Sequence, residues 1–336
     1  MSPQPLAHHS RLPHRLAVAL VCVVFPLIWV GGLVTTYDAG MAVPDWPSTY
    51  GYNLFLYPWS TWLFGPWDLF IEHGHRLLGA TAGLVTIALA LSIFVGDRRR
   101  WMSWVAVVAV VGVVVQGVLG GLRVLENSDR LALVHGCLGP AFFAFCAAIV
   151  VMTSGGWRDA DRGTVGAGAG RLHRLAVTTA LLAYVQLVVG AMLRHMPVQA
   201  SREAFRTVVF FHLLFAALLV VYVALLAVRI ARRYRQRGLS LPAAVLAALV
   251  VFQLLLGAGS WVVKYSWPDW MSWLPISAAY TVRAESMWQA IIVTAHVANG
   301  SLVLAVAVVI ALRALRFVRG TSHESQPALL AAGLVA

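Results

Sequence analysis

Eight stretches of the chain are almost free of polar residues, at about 17–36, 75–95, 102–122, 132–152, 174–193, 207–229, 241–263 and 287–312. Each is long enough, at about 1.5 Å per helical residue, to cross a hydrocarbon core of about 30 Å. Backbone groups inside a bilayer have no water to bond, so each run is predicted to be an α-helix. The first run follows His8, His9, Arg11, His14 and Arg15 and is not followed by a small-residue cleavage site. It is therefore expected to stay as a helix rather than leave as a signal peptide. The fold class expected is an all-α polytopic membrane protein, with eight transmembrane helices arranged as two similar four-helix bundles.

The polar stretches between the runs give the organisation. Residues 155–170 are Gly/Ala-rich with scattered Arg and Asp and read as a linker. The chain then divides into an N-terminal half (1–154), that linker, a C-terminal half (171–320) and a tail (321–336). Two intervening segments are long and aromatic. The one near 37–71 holds Trp46, Trp59, Trp62, Trp67, Tyr50, Tyr52 and Tyr57, and the one near 264–286 holds Trp267, Trp270 and Trp273. Such residues form belts at the membrane–water interface; the alternative is a segment that lies back over the mouth of a pocket.

Composition agrees with the pattern. Of 336 residues 60% are hydrophobic and 11% charged, with a mean hydropathy of +0.79. An ordinary soluble domain has about 25% charged residues, and a disordered chain has low hydrophobicity, so both classes are excluded. The net charge of +12 raises the question of a nucleic-acid partner. The bases, all Arg except Lys264, instead cluster between the apolar runs. With a cytoplasmic N-terminus seventeen of them lie inside, including Arg98, Arg99, Arg100, Arg229, Arg232 and Arg233, and eight lie outside. Nine of the thirteen acidic residues show the opposite bias. The positive-inside rule therefore predicts both termini in the cytoplasm, no nucleic-acid partner, and a multi-pass protein of the inner (cytoplasmic) membrane. Cys22, Cys137 and Cys146 have no metal-site spacing and read as small apolar residues.

Histidines carry the candidate chemistry. Runs two, four, six and eight hold His75, His135, His212 and His296, each followed four residues later by a small residue: Gly79, Gly139, Ala216 and Gly300. Positions i and i+4 share a helix face, so each small residue leaves room for a flat ligand beside the imidazole. The odd runs answer with Gln-x-x-x-Gly at Gln116–Gly120, Gln186–Gly190 and Gln253–Gly257; the first run has Gly31 and Gly32 without the Gln. Each histidine lies near the outer start of its run. Neutral imidazoles offered by two facing helices suit axial ligation of a haem iron, and the expected pairs are His75 with His135 and His212 with His296. Zinc would call for three or four clustered ligands. His73, His173 and His195 read as peripheral or interfacial, and His8, His9, His14 and His323 as tail residues. The N-terminal half alone adds Glu72, three residues before His75 and on its face, with Arg76 next to it. That carboxylate reads either as an acid or base beside the iron or as one member of a Glu–Arg pair.

The pattern resembles the haem A synthase family. The residues that carry the resemblance are Gly31-Gly32-Leu33-Val34-Thr35, Gly40, Pro44-Asp45-Trp46-Pro47, the Glu72-x-x-His75-Arg76 box, and His135, His212 and His296, which span the chain from the first run to the eighth. The resemblance implies an oxidoreductase of haem biosynthesis that converts the ring D methyl of haem O into the formyl group of haem A, for terminal oxidases. It implies that His212 and His296 ligate the iron of a haem b cofactor, that His75 and His135 ligate or flank the substrate haem, and that Glu72 is needed for the chemistry. Partners implied are haem O, haem O synthase, a terminal-oxidase assembly pathway and the lipid bilayer. Some relatives have two cysteines in the first outer segment; this chain has none between 37 and 71. The competing function is a membrane electron-transfer cytochrome with two bis-His b-type haems. It explains the histidines but not Glu72, and four histidines toward one side make no wire across a bilayer.

Overall fold

The computed structural model describes residues 10–158, 168–197, 199–234, 238–265 and 286–332, with side chains as far as Arg316. Ten helices follow in order: α1 (Leu12–Thr36), α2 (Trp59–Phe64), α3 (Trp67–Gly96), α4 (Arg100–Leu125), α5 (Asp129–Thr153), α6 (Gly155–Arg158), α7 (Ala169–Arg194), α8 (Arg202–Arg233), α9 (Ser240–Tyr265) and α10 (Met287–Ala332). All but α2 and α6 are long and apolar enough to cross a membrane, eight in all. Among the described residues there is no strand, only an isolated bridge between Thr49 and Tyr52.

Most of these helices overrun the apolar stretches that predict them. α3 begins at Trp67 rather than near His75, and α8 extends from Arg202 to Arg233. Intrahelical bonding continues into the interface, where polar side chains cost nothing and cap the ends. Ser128 accepts from the Leu131 N–H at the start of α5, and Ser201 from the Ala204 N–H at the start of α8. Asp129 and Glu203 follow in the first turns, where the helix dipole favours them. Of the linker, Gly155–Arg158 forms α6 and residues 159–167 lie outside the described part. The second aromatic segment, with Trp267, Trp270 and Trp273, and the tail residues His8 and His9 also lie outside it.

Contacts close two circuits. α1 packs on α3, α3 on α4, α4 on α5 and α5 on α1; α7 packs on α8, α8 on α9, α9 on α10 and α10 on α7. The circuits meet where α10 touches α5 and α1, and α5 touches α7. Accordingly α5 and α10 are innermost, with 56% and 50% of their apolar windows buried, against 11–28% in the other six spans. Leu84, Leu91, Val95, Trp104, Val111, Leu213 and Leu255 are among the exposed apolar side chains. A lipid environment carries no cost for them.

Packing is densest at one end. Leu20 near the start of α1, Ile93 near the end of α3, Met102 in α4, Ile149 in α5, Leu172 in α7, Ile230 in α8 and Leu239 before α9 are essentially without exposed surface. These positions lie at the helix ends remote from the histidines. Charge ties the same end together. Asp97, the residue after α3, receives Arg99 through Nε at 2.9 Å and Nη2 at 2.6 Å, and Arg158 Nη2 at 3.3 Å. Arg99 also donates to the Met152 carbonyl of α5, and the Arg316 guanidinium sits 4.7 Å from the ring of Trp157. Partial burial works against the Asp97 carboxylate, but the Arg99 bonds and the two guanidiniums outweigh it and hold its pKa below the ordinary value.

A carboxylate with a depressed folded-state pKa stabilises above its unfolded pKa of about 3.9 and loses that contribution as pH falls through the folded value. Asp97→Asn should therefore destabilise the detergent-solubilised protein by about 1–3 kcal/mol at neutral pH. Thermal unfolding should show the gap between wild type and variant at pH 7 and its closure below about pH 3.9.

Candidate functional site

At the opposite end the four histidines come together in the two expected pairs. The ring centroids of His75 and His135 are 6.3 Å apart, and those of His212 and His296 are 6.4 Å apart. In each pair one ring comes from an outer helix, α3 or α8, and the other from an inner one, α5 or α10. What lets the rings into these positions is a glycine on the neighbouring helix. A Cβ on Gly31 would lie 2.9 Å from His75 Nε2, and Cβ atoms on Gly120, Gly190 and Gly257 would lie 3.3, 3.0 and 3.1 Å from Cε1 of His135, His212 and His296. The small residues expected to make room on the histidine helices act differently. Gly79 borders open space, whereas Gly139 and Gly300 meet the amides of Gln116 and Gln253. Gly31 thus does for α1 what the Gln-x-x-x-Gly glycines do for α4, α7 and α9.

Amides support the rings of the second pair. Gln186 Nε2 lies 3.2 Å from His212 Nδ1, and the Gln186 Oε1 is buried without a partner among the described residues. Rotated about its last torsion, the same amide would accept Nδ1–H, the tautomer that leaves Nε2 for a metal. Gln253 donates to the His296 carbonyl at 3.0 Å, and Asn299 donates to Gln253 Oε1 at 2.7 Å and to the Leu249 carbonyl at 2.9 Å. His135 Nδ1 and His296 Nδ1 are buried and unpartnered among the described residues. A separation near 6.3 Å leaves room between two rings for one ion with a bond of about 2 Å to each. Among the described residues no group of three or more His, Cys, Asp or Glu side chains could hold a metal. Two facing imidazoles are the donor set of an axially ligated haem, so the residues present fit that group.

The first pair has a roof. Residues 38–58 fold back over the ends of α3 and α4. Arg76 gathers this segment, donating to the carbonyls of Val43 (2.6 Å), Asp45 (2.5 Å) and Ser48 (2.8 Å). Its Nη2 also meets Glu72 Oε1 at 2.9 Å, while Glu72 Oε2 accepts the Val43 N–H at 2.9 Å. Glu72 is buried, so both of its oxygens are satisfied by the roof and its clasp. Arg123 of α4 donates to the Gly40 carbonyl at 3.0 Å. The Trp46 ring lies against Gly121, where a Cβ would come within 2.3 Å of two ring carbons. Inside the segment the Asp45 carboxylate accepts from Ser48, Tyr50 and Gly51. Burial raises its pKa, and these bonds together more than reverse that, leaving it below the ordinary value.

Comparison with known proteins follows the same residues. A family model described as cytochrome oxidase assembly protein matches residues 66–200, from α3 to the end of α7, and so takes in Glu72, His75 and His135. A heme A synthase from an Exiguobacterium species is 26% identical over 273 residues, covering 76% of this chain and 84% of its own length. Over these residues the chain is similar to the haem A synthases.

Several residues of the chain stand elsewhere than the sequence pattern suggests. His73 is not peripheral: it is buried beneath the roof, 3.0 Å from the Thr49 hydroxyl and packed on Tyr57 and Trp62. His14 belongs to α1 rather than a tail, with Nδ1 3.2 Å from Thr153 Oγ1 of α5. His173 Nδ1 lies 3.2 Å from the Ala311 carbonyl of α10. His195, just past α7, packs near Gly136, and burial and then the Arg194 charge lower its pKa to about 4. Arg123, Arg194 and Asn299 escape the sequence reading. A signal for the first two existed: Arg123 and Arg194 follow the glycines of Gln116–Gly120 and Gln186–Gly190 by three and four residues, on the same helix face.

Removing the clasp should open the roof without disturbing the core. In Arg76→Gln, amide exchange at Val43 and its neighbours should rise about tenfold or more, as loss of a charge-assisted bond implies. Exchange in α5 around Ile149 should stay at the wild-type rate.

Proposed function

We propose that the chain oxidises the ring D methyl of haem O to a formyl group, yielding haem A for terminal oxidases. Similarity to the haem A synthases supports an oxidoreductase of haem A biosynthesis, and what supports the finer reading is the inequality of two otherwise matching histidine pairs. Both pairs have the same ring separation and the same facing glycines. Among the described residues, the His75–His135 pair is joined by the buried Glu72–Arg76 pair and a folded roof, whereas the His212–His296 pair is held by Gln186, Gln253 and Asn299. One half is built for chemistry and the other for holding.

In this reading His212 and His296 hold the iron of a haem b, and His75 and His135 hold or flank haem O. The irons, when bound, supply the redox chemistry. Going from methyl to formyl exchanges two hydrogens for one oxygen, a four-electron oxidation equivalent to taking up one water and releasing four electrons and four protons. Glu72 shares a helix face with His75, three residues on, and is the proposed catalytic residue. Its carboxylate, kept close by Arg76 and the Val43 N–H, would stabilise positive charge or take a proton at the substrate edge. The roof limits water at the same place. The domain reading goes with this: residues 1–154 form the substrate half, 155–170 the linker, 171–320 the haem b half and 321–336 the tail. The closed circuits of helix contacts support two four-helix halves, and the Arg distribution supports cytoplasmic termini in the inner membrane. A haem O synthase would supply the substrate and an oxidase assembly route would take the product.

Expression of the full chain with a haem O synthase, followed by chromatography of extracted pigments, tests the reaction: haem A is expected, and its absence with folded protein present refutes it. His212→Ala should abolish the b-type spectrum of the purified protein; an unchanged spectrum would refute the ligand pairing. Glu72→Ala should stop conversion with bound haem retained, and loss of all haem would make Glu72 purely structural.

A further inference from the structure

One face of α7 carries Gln186, Gly190 and Arg194 at intervals of four, so each lies one turn beyond the last. Gln186 reaches the His212 ring and Gly190 packs on it. Arg194 therefore stands one turn outward of the second histidine pair. Its Nη2 donates to the Gly32 carbonyl at 2.8 Å and to Thr36 Oγ1 at 2.7 Å, both in α1. Thr36 Oγ1 is in turn 3.4 Å from Thr294 Oγ1, two residues before His296. The Arg194 Nη1 is buried and has no partner among the described residues.

Nor does the Arg194 charge meet a carboxylate among the described residues. Among the described residues the ion pairs are Arg76–Glu72, Arg99–Asp97 and Arg158–Asp97, and none involves Arg194. The groups within its electrostatic reach are Lys264, His195 and His296. Arg123, its counterpart on α4, instead lies within reach of the Glu72 and Asp38 carboxylates. The helix C-terminus and the α1 acceptors explain why a cation is tolerated at the end of α7. They leave the buried Nη1 without an acceptor among the described residues, and a buried charge with a donor to spare suits an anion.

We propose that Arg194 anchors a carboxylate of the haem held by His212 and His296, with Nη1 donating to a propionate oxygen while Nη2 keeps its bonds to α1. The proposal rests on the haem reading above and names the recognition chemistry of that site: a planar macrocycle whose edge bears an alkyl carboxylate. Lys264, on the facing helix α9, adds a second positive charge to the same edge. The guanidinium fork suits the task because it can serve Gly32, Thr36 and a carboxylate at once; an ammonium has no such planar fork.

The test uses the full-length, haem-stripped protein in detergent, titrated with ferric protohaem and with its dimethyl ester and followed by Soret absorbance. The His75→Ala background isolates the second pair. Free-acid haem should bind about tenfold or more tighter than the ester in that background. Arg194→Gln should reduce the preference to about twofold or less while the low-spin bis-His spectrum persists. An equal preference with and without Arg194 would overturn the assignment. If Arg194→Gln does not fold, Arg194→Lys replaces it; a Lys variant as selective as Arg would likewise overturn the assignment, and a reduced preference would support it. Failure of both haems to give a low-spin bis-His spectrum in the His75→Ala background, at every concentration, would refute the haem reading itself rather than the role of Arg194.

Discussion

The architecture turns on a single steric arrangement, made four times: an imidazole from one helix set against the bare α-carbon of a glycine on its neighbour. A polar ring inside a membrane span is expensive unless something receives it. A side chain on Gly31, Gly120, Gly190 or Gly257 would enter the space the ring occupies. With glycine there, the helices stay close enough to pack and the two rings of a pair stay near 6.3 Å. The antiparallel order of the helices follows, because each glycine lies near the C-terminal end of its helix and each histidine near the N-terminal end of the next.

From that arrangement comes a division of labour along the bundle axis. Apolar packing, Asp97 with its two arginines, and the Trp157–Arg316 contact hold the end remote from the histidines. The histidine end is spared that duty and can contain glycines, amides and unpartnered nitrogens. A structure that placed its tightest core around the rings would have no room for a ligand between them. Separation of the rigid end from the polar end resolves the conflict between a stable fold and a site with spare donors.

The eight helices were legible because a lipid-spanning helix must be apolar over its whole length, a demand no loop residue shares. The histidine pairs were legible for a related reason: few polar residues are tolerated in a span, so those that occur stand out. The helix limits were less so, since α3 and α8 continue into polar sequence that periodicity does not mark. His73 was misread because its burial is made by Thr49, Tyr57 and Trp62, residues of an irregular segment whose path no repeat encodes. The clasp of Arg76 on three loop carbonyls is invisible in sequence for the same reason: its acceptors are backbone atoms, which every residue has. Arg194 does not stand out in the sequence because a helix end commonly carries a cation, and only its neighbours in α1 show that it faces inward.

The roof also has a chronology. Every anchor that holds residues 40–49 is made later in the chain than the segment itself: Glu72 and Arg76 by about one helix, and Arg123, 83 residues after Gly40, by about two. During synthesis from the N-terminus this segment must wait, without fixed shape, until α3 and then α4 have entered the membrane. Only when α4 has arrived can Trp46 settle on Gly121 and Arg123 reach Gly40. Closure of the roof is therefore a late step in assembly of the bundle, possible only after α4 has packed on α3.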